Sequence, residues 1–264
     1  MITDTLQNEL RERYNPDGST LRKQQLRMLE MLQYIDAVCT KHGIRYWLCS
    51  GTLLGAVRHG GFIPWDDDMD IEMLRGDYEK FVKVMLLEKN EKYALQTHET
   101  DATYFFPYGK LRDLHSCLKE VHSTDSDYKY RGIFVDIFVL ESSSSLFLAK
   151  MSRTILFKTQ RILKIPNVLG KLMYASLHEI LFPILSFVSA ICANGRLRHV
   201  HGSYFLRPRY MDDIFPLRKL DFEGKSFWVP SNYDHYLNLI YGDYMTLPPL
   251  DSITMHVTKV DFLE

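Results

Sequence analysis

The sequence predicts an α/β (α+β) fold in which a mixed α/β core is followed by a helical region. Segments with strand and helix periodicity alternate between residues 21 and 140, and a polar linker, Ser142 to Ser145, then leads into an apolar helical pattern. The chain has 264 residues, of which 46% are hydrophobic and 25% are charged. This length and composition allow a full hydrophobic core and exclude a disordered or fibrous chain.

The elements of the core follow from the spacing of its apolar residues. Leucine and isoleucine recur at steps of three and four along residues 21–42, which predicts an amphipathic helix that ends at Gly43. Short runs rich in β-branched and aromatic residues predict strands. In order, we expect a helix over 21–42, a strand over 44–49, helix 53–59, strand 68–73, helix 77–87, and strands 93–97, 105–111 and 133–140.

The second half of the chain has a different pattern. Residues 146–199 are apolar with helical spacing, residues 222–229 indicate a hairpin that turns at Glu223-Gly224, and residues 233–241 indicate a helix. We therefore divide the chain into a core at 1–145, a helical insertion at 146–216, and a C-terminal segment at 217–264 that packs back on the core.

Charge and cysteine content narrow the function classes. Lys and Arg number 32 against 33 Asp and Glu, a net charge of -1, so we expect no nucleic-acid partner. Four cysteines without CxxC spacing and a polar start predict a reduced, cytoplasmic protein without a signal peptide. The apolar run 172–193 includes Glu179 and Pro183, so we expect a buried or membrane-resting helix rather than a span, with peripheral membrane contact through 146–200.

The densest chemical motif is the acidic run from Trp65 to Met73. Because side chains alternate along a strand, Asp68, Asp70 and Glu72 are expected on one face. Neighbouring carboxylates repel each other unless a hard cation lies between them, and Mg²⁺ suits this role, with Mn²⁺ as an alternative. A solvated acidic turn is the other interpretation, whereas an EF-hand is excluded because Ile71 stands where the loop requires glycine.

The turn Ser50-Gly51-Thr52 lies between a predicted strand and a predicted helix. Such a turn presents backbone N–H groups and a hydroxyl to a phosphate, although the same residues also suit a simple helix cap. Arg58 follows in the same helix and is a candidate nucleotide contact. The alternative for Arg58 is a structural ion pair with the run from Asp66 to Asp68.

Four separate blocks of the chain resemble the LicD family, whose best-known members are bacterial phosphocholine transferases and which has fukutin-type relatives. The blocks are Tyr46 to Ile71, Phe106 to Asp113, Gly132 to Phe138 and Tyr236 to Pro249. The resemblance implies that the core is a nucleotidyltransferase fold of the DNA polymerase β type, with Gly51 and Thr52 as the phosphate turn. It also implies that Asp68, Asp70 and a third carboxylate, Asp136, hold the metal.

Two further observations on predicted strands support this site. Asp136 lies between Phe134 and Phe138 on one strand face, where a carboxylate is costly unless it is paired, hydrogen-bonded or metal-bound. Its alternative role is to cap a nearby loop. Lys110 and Arg112 lie two residues apart, so both can enter one cleft and neutralise phosphate, and the resemblance favours Lys110. A solvated edge strand is the alternative for this pair.

The remaining basic groups are less informative. His199 and His201 lack the partners of a zinc site and are expected on a surface loop. A local basic patch is expected to be solvated or to rest on anionic lipid headgroups. Its members are Arg196, Arg198, Arg207 and Arg209.

The leading hypothesis is a Mg²⁺-dependent transferase that moves a phospho-alcohol group from a CDP-alcohol donor, with CDP-choline as the type case, to a sugar hydroxyl of a glycan or glycolipid. Asp68, Asp70 and Asp136 would hold the metal, and Lys110 would offset charge on phosphate. Two rival hypotheses are a glycosyltransferase that binds a nucleotide-sugar through Asp68 and Asp70, and a non-catalytic module that tethers a partner through residues 146–193.

Overall fold

The computed structural model describes residues 2–88, 90–120, 127–165, 167–250, 253 and 257–263. Its α-helices are α1 (Asp4–Tyr14), α2 (Thr20–His42), α3 (Ser50–His59), α4 (Arg75–Leu87), α5 (Leu146–Leu163), α6 (Val168–Ala175), α7 (Phe182–Ala190), α8 (Met211–Ile214) and α9 (Tyr233–Tyr241). A π-helical segment, Ser176–Leu181, joins α6 to α7. The strands are β1 (Trp47–Leu48), β2 (Asp70–Leu74), β3 (Tyr93–Gln96), β4 (Gly109–Asp113), β5 (Ser116–Glu120), β6 (Phe134–Ser142), β7 (Arg196–His199), β8 (Arg209–Tyr210), β9 (Arg218–Phe222), β10 (Lys225–Val229) and β11 (Val257–Phe262).

A mixed sheet organises the fold, which confirms the predicted α/β class. Its order is β1-β2-β6-β4-β3, and β7 pairs with both β6 and β8. The β2 and β6 strands are parallel, whereas the other pairs in this sheet are antiparallel. The long central strand β6 therefore contacts β2 along one edge and β4 and then β7 along the other.

The core lies between this sheet and its helices. The inner face of α2 buries Met31, Leu32 and Ile35 completely, which agrees with the helical spacing of its apolar residues. Ser19 accepts a hydrogen bond from the N–H of Arg22 at the start of α2, and Gly43 ends the helix with a φ of 60°. The core strands β2 and β6 are almost wholly buried, as expected for a parallel pair covered on both faces.

Several predicted elements are confirmed, and a few needed correction. The helices predicted over 21–42 and 233–241 match α2 and α9. The strand predicted over 44–49 is reduced to β1, because only Trp47 and Leu48 pair with β2. The strand predicted over 105–111 begins later, at β4, because Phe105 packs instead among the residues of α5 and α7.

The predicted helical insertion contains strands as well as helices. Its last residues form β7 and β8, which join the central sheet through β6, so the prediction of helix up to residue 199 was wrong beyond Ala190. One helical stretch of the described chain, Val168–Ala190, is long and apolar enough to cross a membrane by length and composition alone. The boundaries at 145/146 and 216/217 stay predictions.

The C-terminal segment contacts the core through its hairpin. Glu223 and Gly224 both have positive φ, as a two-residue turn between antiparallel strands requires. The carboxylate of Glu223 accepts hydrogen bonds from the Arg22 side chain at 2.7 Å and from the Phe62 N–H at 3.1 Å. Gly61 lies so close that a Cβ there would be 2.3 Å from a Glu223 carboxylate oxygen. This turn therefore anchors the C-terminal segment.

Candidate active site

Two aspartates meet where the parallel strands of the sheet begin. Asp70 is the first residue of β2, and it lies directly opposite Asp136 of β6 in the parallel register. Residues opposite in register share one face, so both carboxylates leave the sheet on the same side. The N–H of Asp136 donates to the carbonyl of Met69 at 2.8 Å, which holds the two strands together at this point. Both side chains are buried.

Lys110 completes this row from the other side. It lies opposite Asp136 in the antiparallel β4–β6 pair, and its Nζ is 2.8 Å from Oδ1 of Asp136. The same ammonium lies 3.5 Å from the centre of the Phe134 ring. Three neighbouring strands thus place two carboxylates and one ammonium side by side.

The side chain of Arg112 does not lie where its two-residue spacing from Lys110 had suggested. Its Nε donates to Oε1 of Gln96 at 2.8 Å, and its Nη1 donates to the carbonyl of Gly132 at 2.9 Å. The side chain is only 1% exposed. These contacts hold β3, β4 and the approach to β6 together, so the expectation that Arg112 enters the cleft with Lys110 is corrected.

A loop before β2 brings further carboxylates to the same place. Burial raises the pKa of Asp70 well above its ordinary value, and the negative charges of Asp68 and Asp136 raise it further. Burial also raises the pKa of Asp66, and Asp68 adds to this effect through its charge and a hydrogen bond. Negative charge is therefore unfavourable here unless a cation compensates for it.

This donor set fits a hard cation that relies on few protein ligands. Within the residues that the structure describes, no three His, Cys, Asp or Glu side chains converge as a complete metal site. Mg²⁺ is commonly bound by one or two carboxylates and completes its shell with water and phosphate oxygens. The in-register pair Asp70 and Asp136 has the oxygen chemistry for such an ion, and the single ammonium of Lys110 offsets only part of the negative charge. Metal binding by Asp68, Asp70 and Asp136 stays a prediction.

The first turn of α3 lies against this acidic group. The predicted turn at 50–52 is the beginning of the helix itself, and Ser50 has a φ of 48°, a conformation that is costly for a residue with a side chain. A Cβ at Gly51 would lie 3.0 Å from Oδ2 of Asp66, so this position favours glycine. Thr52 is buried, and its Oγ1 accepts a hydrogen bond from the N–H of Asp70 at 2.8 Å. The Thr52 hydroxyl thus holds the start of β2.

Arg58, at the other end of α3, has structural partners. Its Nη1 donates to the carbonyls of Tyr244 at 2.8 Å and Thr246 at 3.2 Å, and its Nε donates to Nε2 of His59 at 2.9 Å. These bonds tie α3 to the C-terminal segment. They give no support to the predicted nucleotide contact. The alternative, an ion pair with the run from Asp66 to Asp68, is supported to the extent that the opposite charges of Arg58 and Asp66 stabilise each other.

A cavity of about 760 Å³ opens beside the carboxylates. Its acidic wall includes Ser50, Gly51, Asp66, Asp68 and Asp70. The insertion contributes five cationic side chains, which form the basic wall of the cavity: Lys150, Arg153, Arg198, Arg207 and Arg209. The lining also includes three aromatic residues, Tyr204, Phe205 and Tyr241, and four apolar residues, Leu146, Leu206, Pro208 and Ile240. The cavity therefore contains both acidic and basic groups.

Sequence reasoning missed this basic wall. Arg198 and Arg209 had been placed on a solvated or lipid-facing patch, but both are buried, and Arg198 donates to the carbonyl of Leu206. The density of arginine between residues 196 and 209 was the available indication. Only the return of β7 and β8 to the central sheet places these residues in the same cavity lining as the carboxylates.

The predictions for Glu72 and His199 also needed correction. Glu72 does not join the row of metal carboxylates, because it is fully buried and accepts hydrogen bonds from Trp47 at 2.9 Å and Tyr236 at 2.7 Å. Nε2 of His199 lies 2.8 Å from Oε1 of the same carboxylate, and Nε of Arg209 lies 3.3 Å from it. Burial alone would raise the pKa of Glu72, but these partners outweigh it and lower the pKa to about 2.

The histidine pair is therefore internal, and the surface-loop prediction was wrong. Nδ1 of His201 lies 3.0 Å from the hydroxyl of Ser152 on α5, and both residues are buried. Burial lowers the pKa values of His199 and His201. Neutral rings hydrogen-bonded inside the protein serve packing and positioning.

The chain is similar to known proteins along most of its length. The family model described as LicD/FKTN/FKRP, nucleotidyltransferase domain, matches residues 43–168, which include the paired aspartates and Lys110. The chain is 30% identical over 260 residues to lipopolysaccharide cholinephosphotransferase LicD of Haemophilus influenzae, an alignment that covers 90% of this chain and 96% of that protein. It is also 52% identical over 42 residues to ribitol 5-phosphate transferase FKRP of Homo sapiens, 16% of this chain and 8% of that protein.

A third relative is an uncharacterized protein, RP689, of Rickettsia prowazekii, which is 42% identical over 73 residues, 28% of this chain and 26% of that protein. Taken together, these similarities identify an enzyme that transfers phospho groups. The protein belongs to the LicD family.

Proposed function

We propose that this enzyme transfers a phospho-alcohol group, phosphocholine in the first instance, from a CDP-activated donor to a sugar hydroxyl. The acceptor is a cell-surface glycan or its lipid-linked precursor. The observation that carries the proposal is the in-register pair Asp70 and Asp136, flanked by Lys110, together with a cavity that is lined by Asp70 and by the basic wall. The name of the Haemophilus relative supports phosphocholine as the group and a glycolipid as the acceptor. A DNA polymerase β-type nucleotidyltransferase core is part of this proposal.

The acidic group and the basic wall of the cavity have separate roles in the proposed reaction. Asp70 and Asp136, with Asp68 beside them, would hold Mg²⁺, or Mn²⁺ in its place. Bound there, the ion would neutralise charge on the diphosphate of the donor. Arg153 and Arg207 of the basic wall would bind the donor phosphates, because guanidinium groups match phosphate oxygens.

The chemical step replaces the phosphoanhydride bond of the donor with a phosphate ester bond to the acceptor. A bond forms between the acceptor oxygen and the phosphorus that bears the alcohol, and the bond from that phosphorus to the oxygen of CMP breaks. The hydroxyl proton of the acceptor passes to a carboxylate, for which Asp136 is the candidate. Lys110, held 2.8 Å from Asp136, keeps positive charge beside the reacting phosphate while negative charge moves to CMP.

The aromatic lining suits the organic parts of the donor. Tyr204, Phe205 and Tyr241 line the cavity. Aromatic ring faces stack on a nucleobase and attract quaternary ammonium groups. The four free cysteines, Cys39, Cys49, Cys117 and Cys192, support a location in the reducing cytoplasm as part of the proposal.

The test replaces the paired aspartates one at a time. We expect Asp70→Asn and Asp136→Asn to lower the release of CMP from CDP-choline by about 100-fold or more, since each removes charge from the reacting centre. Asp221→Asn, a change at an exposed aspartate on β9, is the matched control and is expected to keep full activity.

A panel of donors identifies the substrate class. CDP-choline, other CDP-alcohols, UDP-sugars and GDP-sugars are each incubated with the protein, Mg²⁺ and glycan acceptors, and the products are analysed by mass spectrometry. Transfer from a CDP-alcohol supports the proposal. Unchanged CMP release by Asp70→Asn, or turnover of nucleotide-sugars alone, would refute it.

A further inference from the structure

An apolar surface covers the outward side of the stretch from α6 to α7. The outer face consists of the apolar residues of this stretch, and of the position just after it, that are at least 55% exposed. Each is between 55% and 74% exposed: Val168, Leu169, Leu172, Ile180, Ile184, Phe187 and Ile191. Soluble proteins seldom leave a contiguous apolar surface of this kind in water unless another molecule covers it.

The inner side of the same stretch is packed and hydrogen-bonded. Leu177, Phe182 and Leu185 form a buried cluster with Leu156 and Leu163 of α5. The carbonyl of Ser189 accepts hydrogen bonds from the backbone and hydroxyl of Ser144, both at 2.8 Å, and the hydroxyl of Ser186 donates to Glu141 at 2.7 Å. A helix that crossed a bilayer would have to give up these contacts. The stretch is therefore suited to lie along a surface, although its length and composition would also suit a span.

The segment that carries the outer face is strongly basic in sequence. Residues 146–199 contain eight Lys and Arg but a single acidic residue, Glu179, whereas the whole chain has a net charge of -1. Lys158, Arg161 and Lys171 are exposed among these cations. Exposed apolar residues flanked by cations are the combination that binds the headgroup region of an anionic membrane.

We propose that the outer face docks on an anionic lipid bilayer, with α6 and α7 in the headgroup region and their inner side still packed on the protein. The same insertion supplies Leu146, Lys150 and Arg153 to the cavity, so docking brings one wall of the site to the membrane. Docking would give the enzyme access to an acceptor attached to lipid. This use of docking rests on the proposed function, whereas the docking itself does not.

Vesicle sedimentation tests the docking with the full chain. The protein is mixed with vesicles of phosphatidylcholine and phosphatidylglycerol, or of phosphatidylcholine alone. We expect affinity for the anionic vesicles to be about tenfold higher or more, and Lys158→Glu with Arg161→Glu to remove most of this difference. Binding to the two kinds of vesicle with equal affinity would overturn the assignment of an anionic bilayer.

A paired set of variants tests the outer face itself. Ile184→Asp with Phe187→Asp is expected to weaken binding to anionic vesicles by about tenfold or more, because charged groups replace buried apolar contacts. The control, Leu86→Asp with Leu87→Asp, changes two exposed leucines at the end of α4 and is expected to leave binding within about twofold of the parent. Equal loss in both double variants, or no sedimentation of the parent protein, would overturn the proposal.

Two further measurements separate the remaining outcomes. Light scattering of the protein in solution is expected to show that Ile184→Asp with Phe187→Asp leaves the oligomeric state unchanged; a dimer dispersed by this variant would mean that a second copy covers the face. Asp70→Asn is expected to bind vesicles like the parent protein. Vesicle binding together with an active Asp70→Asn would refute the proposed chemistry alone, and an inactive Asp70→Asn with no vesicle binding by the parent would refute the docking alone.

Discussion

Lys110 and Arg112 lie two residues apart on β4, and their environments give them different roles. Lys110 contacts the carboxylate of Asp136 at the edge of the acidic group. Arg112 is enclosed one step further along the same face, where a side-chain amide and a backbone carbonyl accept its hydrogen bonds. The first cation therefore belongs to the proposed chemistry and the second to the structure that supports it.

Substitution by methionine separates these two roles. We expect Lys110→Met to lower the rate of CMP release by about 10- to 100-fold, because the reacting phosphate loses a nearby positive charge. Lys110→Arg keeps the charge and is expected to retain more activity than Lys110→Met. Arg112→Met is expected to lower the free energy of unfolding by about 2 to 4 kcal/mol, because it leaves buried acceptors without a donor. An inactive but stable Arg112→Met, together with a fully active Lys110→Met, would reverse the assignment.

At the scale of the element, α3 shows how a glycine positions a site. Gly55 lies against the turn that follows the helix, where a Cβ would be 2.4 Å from the carbonyl oxygen of Gly61. This close approach sets the angle between α3 and the turn that follows it. The first turn of α3 lies against Asp66 and Asp70 through Gly51 and Thr52. The position of Gly55 therefore affects the site, although Gly55 is four residues away from Gly51.

A pair of alanine substitutions tests this close approach. Gly55→Ala is expected to lower the free energy of unfolding by about 1 to 3 kcal/mol, since the backbone must move to admit the methyl group. The control is Gly76→Ala in the first turn of α4, where no atom lies within 4 Å of an added Cβ. That change is expected to raise stability by up to about 1 kcal/mol through helix propensity. Urea titration measures the free energy of unfolding of both variants. An unchanged value for Gly55→Ala would show that the turn at Gly61 moves at little energetic cost.

At the scale of the whole molecule, one buried carboxylate joins distant parts of the chain. Glu72 of β2 receives hydrogen bonds from β1 and α9 through Trp47 and Tyr236, and it contacts β7 and β8 through His199 and Arg209. The core, the end of the insertion and the C-terminal segment therefore meet at a single side chain. Such a carboxylate stabilises the fold only while it is ionised.

The pH dependence of stability tests the role of Glu72. Its pKa in the folded protein is about 2, below the ordinary 4.5, so the unfolded chain takes up a proton first as the pH falls. Stability from Glu72 is thus present above pH 4.5 and is lost as the pH falls toward 2. We expect Glu72→Gln to lower the free energy of unfolding by about 3 kcal/mol near neutral pH, and the difference from the parent protein to narrow in acid.

The control for this measurement is Glu79→Gln. Glu79 is exposed on α4 and lies 3.9 Å from Arg75, so its loss is expected to change the free energy of unfolding by less than about 0.5 kcal/mol. Denaturant titrations of the parent and both variants at several pH values give the comparison. A constant difference between the parent and Glu72→Gln at all pH values would contradict the ionised role of this carboxylate.

Much of the secondary structure was predictable because it depends on local spacing. The helix α2 and the hairpin at Glu223-Gly224 follow from periodicity and turn chemistry within a few residues. The strand at Asp136 was predictable for the same reason, and the structure places Asp136 opposite Asp70. The reduction of β1 to two residues was not predictable, because strand length depends on the partner as well as on the segment.

The amino-acid sequence alone was sufficient to establish the α/β class, most of the elements, the family and the acidic motif, since each depends on residues that are close in the chain or on an ordered series of motifs. The tertiary structure was needed to separate the acidic residues by role and to find the basic wall of the cavity. Glu72 and His199 are 127 positions apart, and no spacing rule links them. Whether a charged side chain binds substrate or supports the core depends on which distant residues pack around it, and folding alone brings those residues together.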